Sequence, residues 1–186
     1  MPASPAIPGL FLCFAATVLL VFVSVSSPTW EAISFLNVGV GSTQIHYGVF
    51  GFTGSTHSIG YLFSNDRLNS TVLHNLTKTL ILHPIAGGLA GIAFLFGLCG
   101  TTARTRVGTV FMALVAGLAT LATFVAWVID MILFGIARQR FREAGQPAQY
   151  GNANWLTLGA LIALLLGFCA SACGVFGRYG KRRNAY

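Results

Sequence analysis

Residues 107–137 read VGTVFMALVAGLATLATFVAWVIDMILFGIA, an apolar run with one ionisable side chain, Asp130. About 20 consecutive apolar residues cross the hydrocarbon core of a bilayer as a helix, so this run is long enough to cross and to project beyond. Three further apolar runs surround it, at 7–27, 79–100 and 155–177. The chain therefore reads as an all-α membrane protein, a single four-span domain over 1–186. What remains is a long first loop (28–78), two short connectors and a tail (178–186), which leaves no second domain.

Composition agrees. The chain is 55% hydrophobic and 8% charged, where a soluble domain has about a quarter of its residues charged. The net charge of +7 is a matter of topology. Arg104 and Arg106 crowd the connector after the second span, and Arg178, Lys181, Arg182 and Arg183 fill the tail, whereas the long loop carries only Arg67 and Lys78. Positive residues favour the cytoplasmic side, so both termini are expected inside and the long loop outside. Arg138, Arg140 and Arg142 fall on the outer side, which predicts a third helix that continues past the membrane. Ser24, Ser26 and Pro28 resemble a signal-peptide cleavage site, but no Lys or Arg precedes the run. Its length of about 19 residues also exceeds the 7–15 of a typical signal core, so a retained span is expected.

The outer loop predicts a small β-rich cap. STQIHYGVFGFT (42–53) is β-branched, aromatic and Gly-rich. Ile33, Phe35 and Val38 before it, and residues 59–63 after it, are the expected partner strands. Leu68, Val72, Leu76 and Leu80 then recur every four residues, which predicts an amphipathic helix leading into the second span. Asn69 and Asn75 head two glycosylation sequons.

Asp130 is the sharpest candidate site. A carboxylate near mid-membrane is costly and usually faces a protein partner. Counting about 1.5 Å per residue from the helix ends brings His83 of the second span to a similar depth, so an Asp130–His83 hydrogen bond or ion pair is geometrically possible. A carboxylate beside an imidazole favours the charged ring, which leaves three readings: a response to external pH, a structural tie between the second and third spans, or a neutral Asp130 bonded to a backbone group. Gly87 and Gly91, Gly167 and Ser171, and Ala170 and Gly174 have the small-xxx-small spacing of close helix packing, within one bundle or between copies. Cys13, Cys99, Cys169 and Cys173 lie toward the inner ends of their spans. Cys99 and Cys173 are the palmitoylation candidates, and Cys13 and Cys169 read as packing residues.

Enzymatic readings find no support. The four acids (Glu31, Asp66, Asp130, Glu143) are far apart in sequence, and there is no HExxH, phosphate loop or nucleophile–His set. His46, His57 and His74 with Asp66 match no metal-ligand spacing. No catalytic residue, cofactor or metal is expected.

YGVFGF (47–52), SIGY (58–61), LILHPIAG (80–87) and AWVIDMILF (126–134) resemble, in that order, the fungal PalI family, with His83, Pro84 and Asp130 at its most specific points. The resemblance implies a plasma-membrane protein with a left-handed, claudin-like four-helix bundle, related to the tetraspans of eisosomal cortical patches. It also implies a non-enzymatic adaptor that supports the placement or stability of a seven-span ambient-pH sensor. The alternative is a structural organiser of membrane domains, eisosome-like or adhesive, and a channel or transporter stands behind both. Partners are then membrane lipids, another integral membrane protein and further copies of the chain, with no nucleic acid. Relatives carry a loop Cys pair where this chain has Thr53 and His57, so the loop must hold by packing and hydrogen bonds. Arg178, Lys181, Arg182 and Arg183 read as an anchor to anionic headgroups.

Overall fold

The computed structural model describes residues 6–61, 63, 71–102 and 106–183, with 6, 42, 71–73, 106 and 173–183 described by backbone alone. Its elements are α1 (Ala6–Ser24), β1 (Leu36–Val38), β2 (Ile45–Tyr47), α2 (Thr71–Thr79), α3 (Leu82–Thr102), α4 (Arg106–Glu143), β3 (Ala148–Tyr150) and α5 (Ala153–Arg183). The four long helices, α1, α3, α4 and α5, are each long and apolar enough to cross a membrane.

Each long helix buries one stripe. In α1 it is Gly9, Cys13, Ala16, Leu20 and Val23, and in α3 it is His83, Ala86, Ala90, Ala93, Gly97 and Gly100. In α4 it runs through Met112, Ala116, Ala119, Thr123, Ala126, Asp130, Leu133 and Ala137, and in α5 through Ala153, Thr157, Ala160, Leu164, Gly167 and Ser171. Successive steps alternate between three and four residues, the heptad period that accompanies left-handed crossing. Small residues dominate the stripes because in lipid the helices are held by close van der Waals contact. At the α3–α4 crossing a methyl on Gly108 would lie 2.7 Å from the Gly100 Cα. The opposite faces are apolar and exposed, as with Leu114, Leu118 and Leu121 of α4 and Ile162, Leu165 and Leu166 of α5.

The small-residue motifs pack within the bundle. Methyls on Gly87 and Gly91 would meet Leu20 and Thr17 of α1, and one on Gly167 would meet Leu12 and Gly9 of α1. Ser171 donates to the Gly167 carbonyl at 2.7 Å. Ala170 is half-buried, and the packing around Gly174 is not among what is described.

The cap is a three-stranded antiparallel sheet in the order β2-β1-β3. Its third strand corrects the sequence expectation. It comes from the connector between the third and fourth spans, and Ile59, Gly60, Tyr61 and Phe63 do not pair into the sheet. The chain turns at Gly60, with φ +76°, and Tyr61 and Phe63 drop their rings into the core beside Tyr47. Three strands with a helical floor meet what an isolated hairpin lacks in water.

Helix boundaries also shift. The first span ends at Ser24, not 27, because Ser26 and Ser27 turn inward to bond the cap, Ser26 Oγ accepting from the Val49 N–H at 3.0 Å and Ser27 Oγ donating to the His46 carbonyl at 3.0 Å. α4 has 38 residues, roughly 57 Å at about 1.5 Å per residue, and so outruns a hydrocarbon core of about 30 Å, as the outer arginines predict. The helix expected over 68–80 is the separate α2, and α3 begins only at Leu82.

Two glycines mark where the cap meets the bundle with no spare room. A methyl on Gly48 would overlap the Ser27 carbonyl, and one on Gly151 the Ser34 carbonyl, whereas one on Gly88 meets nothing within 4 Å. Gly48→Ala and Gly151→Ala should each lower stability by about 1–3 kcal/mol, read as a lower melting midpoint of the detergent-purified protein. Gly88→Ala should leave the midpoint unchanged.

Candidate functional site under the cap

Pro84 shapes the start of α3. In a continuous helix the Leu80 carbonyl would accept from the N–H of residue 84, and proline has none. The helix breaks at residues 80–81, and the freed carbonyl is taken by His83. Its backbone N–H donates to Leu80 O at 3.1 Å, and its ring Nδ1 lies 3.1 Å from the same oxygen. A carbonyl can only accept, so Nδ1 carries a hydrogen. The other ring nitrogen, Nε2, is then aimed across to α4, where it meets Asp130 Oδ2 at 2.9 Å. The structure thus brings the two sequence candidates together, with both side chains 1% exposed.

The pair lies close beneath the cap. Leu133, Phe134, Ala137 and Phe141, which follow Asp130 on α4, belong to the same buried cluster as the cap residues Phe35, Tyr47, Tyr61 and Phe63. The 31-residue apolar run contains no mark of where lipid gives way to the cap, and its upper part packs against cap protein. Phe35 forms the ceiling. Its ring stacks on Phe134 at 5.0 Å and 11°, and meets His83 at 5.2 Å in an edge geometry.

Phe35 is held from the connector side. Its carbonyl accepts from Gly151 N at 2.8 Å and from Asn154 Nδ2 at 2.9 Å. Asn152 Oδ1 accepts from Ser34 N at 3.1 Å, while its Nδ2 donates to Ala32 O at 2.8 Å. Asn152, Asn154 and β3 are the site-forming residues that sequence reading missed. The Gly151-Asn152 turn signal was available, but the connector read as the polar end of a helix. On the other side, Tyr61 donates to the Gly48 carbonyl at 3.0 Å, and Thr77 of α2 donates to the Tyr61 carbonyl at 3.1 Å. Burial pushes the Tyr61 phenol well above its ordinary value, so it serves as a neutral donor.

Thr53 and His57 are held by hydrogen bonds. Thr53 N donates to the His46 carbonyl at 3.0 Å and Thr53 Oγ1 accepts from His46 N at 3.1 Å. His57 Nε2 lies 2.7 Å from Thr29 Oγ1. His46 Nδ1 meets Asn37 Oδ1 at 2.8 Å. Among the described residues, no three His, Cys, Asp or Glu side chains converge as metal ligands would.

The other candidates are dispersed. Arg138 stands over the Tyr150 ring at 5.0 Å, and Arg140 and Arg142 are exposed. Cys13 is buried in the bundle, while Cys99 and Cys169 are exposed. Asn75 is exposed on α2. Asn69 and the side chains of Cys173, Arg178, Lys181, Arg182 and Arg183 lie outside the described residues.

The arrangement ties α3 to α4 directly beneath the cap. His83→Leu and Asp130→Leu should each leave a buried polar partner unsatisfied, at about 1–3 kcal/mol. The double variant should cost less than the sum of the two, as a double-mutant cycle of unfolding midpoints would report.

Known families place this geometry. A family model described as the SUR7/PalI family matches residues 5–167, a stretch that includes the cap, His83, Pro84 and Asp130. No curated protein matches the chain. With four helices able to cross a membrane and a match over most of its length, the chain belongs to the SUR7/PalI family as a multi-pass tetraspan.

Proposed function

We infer that this chain is a non-enzymatic plasma-membrane adaptor that supports the placement or stability of an ambient-pH sensor complex. Its cap faces outward and both ends of the chain face the cytoplasm. The observation that carries this reading is the buried interior. All four long helices bury a stripe of mainly small residues, and cap residues are buried together with the upper part of α4 next to Asp130. Contact with another molecule then falls to the outside, on the apolar helix faces and on exposed cap residues such as Trp30, Val40 and Ile59. Such surfaces suit recognition of another membrane protein, and membership of the SUR7/PalI family supports the same role.

The orientation rests on Arg104 and Arg106 beside the short α3–α4 connector and on the basic tail, by the positive-inside tendency. Trp30, which meets Phe22 edge-on at 5.8 Å, follows the end of α1, and Trp155, which is 68% exposed, lies in the first turn of α5, positions that would suit aromatic anchors at a bilayer surface.

The role is tested by copurification of the tagged chain from membranes, paired with deletion. A seven-span sensor should copurify, and deletion should displace it from the cell surface and impair growth at alkaline pH. A sensor that stays in place, with disturbed membrane patches or weakened wall-stress resistance, would point to the structural organiser instead. Orientation has its own test. Cysteines placed at the exposed positions Val40 and Gln149 should react with an impermeant maleimide on intact cells, and one at Thr102 only after permeabilisation.

A further inference from the structure

The hydrogen bonds around His83 restrict the protonation state of the pair. With Nδ1–H committed to the Leu80 carbonyl, two arrangements satisfy the 2.9 Å contact between Nε2 and Asp130 Oδ2. In one, an imidazolium donates from Nε2 to a carboxylate. In the other, a neutral imidazole accepts from a carboxylic acid. They differ at the remaining oxygen. Asp130 Oδ1 is buried and, among the described residues, has no hydrogen-bond partner. In a carboxylate that oxygen shares the negative charge, and a buried charge without a donor is strongly unfavourable. In a carboxylic acid it is a neutral carbonyl oxygen, whose desolvation costs far less. The surroundings reinforce this. Phe35, Phe134, Leu80 and Leu133 are buried around the pair, and His83 is the group at ion-pair distance from Asp130. Tyr61, in the cap, donates elsewhere, to the Gly48 carbonyl.

We propose that Asp130 is a carboxylic acid whose Oδ2–H donates to Nε2 of a neutral His83, making the pair an uncharged tie that positions the start of α3. The proton sits on Asp130, the ring keeps its Nδ1–H on Leu80, and the net charge is zero without charge separation. Such a tie spares the bundle the burial of two ions. Its acid can be replaced by any planar group that donates at the same place.

That replacement is the test. In Asp130→Asn the amide Nδ2–H can donate to Nε2 as the acid does, so the variant should melt close to the parent, while Asp130→Ala should melt clearly lower. Infrared spectra of the parent near neutral pH should show a protonated-carboxyl C=O band that is missing from Asp130→Asn. Nitrogen NMR of His83 should show one protonated ring nitrogen, Nδ1. The proposal is overturned if the protonated-carboxyl band is absent, if both ring nitrogens carry hydrogens, or if Asp130→Asn falls as far as Asp130→Ala.

Discussion

The Leu80 carbonyl is one acceptor on which three features of this protein depend. Pro84 withdraws the donor that would have claimed it in a continuous helix, so the helix breaks there and α3 starts afresh. His83 fills the vacancy with its own backbone N–H and ring Nδ1. With one side of the ring fixed, the other can point only toward α4 and Asp130. The His-Pro dipeptide is therefore one device: proline frees a carbonyl, and histidine spends that carbonyl on aiming its ring.

Above that tie the cap is assembled from two distant stretches of chain. The first loop supplies β1 and β2, and the connector before the last span supplies β3. Phe35 joins the two levels, stacked on Phe134 and against His83 below and bonded by Gly151 and Asn154 through its carbonyl. Thr53 and His57 fasten the loop to His46 and Thr29 by hydrogen bonds. Below the tie, stripes of glycine, alanine, serine and threonine bring the backbones together, and bulky apolar residues are left facing outward.

The spans were legible because hydropathy over about 20 residues is a strong physical signal. The meeting of His83 and Asp130 followed from helix direction and depth alone. The third strand was not legible, since pairing across some 110 residues depends on where α4 ends, and Arg138, Arg140 and Arg142 made that end look purely helical. The contact of the upper part of α4 with the cap was hidden for a related reason. Lipid and cap both accept Ile, Leu and Phe, so nothing in MILFGIA separates membrane from protein. Asn152 and Asn154 hold loop backbone through single side-chain amides, a role that no local pattern announces.

The central claim is that the cap is seated through the tie at the start of α3. Hydrogen–deuterium exchange on the parent and on His83→Ala addresses it most directly, because exchange reports local opening. Loss of the tie should speed exchange at residues 80–86 and in β1, β2 and β3, while the α3–α4 crossing around Gly100 and Gly108 stays protected. Unchanged exchange in the cap, or a uniform rise throughout the bundle, would contradict it.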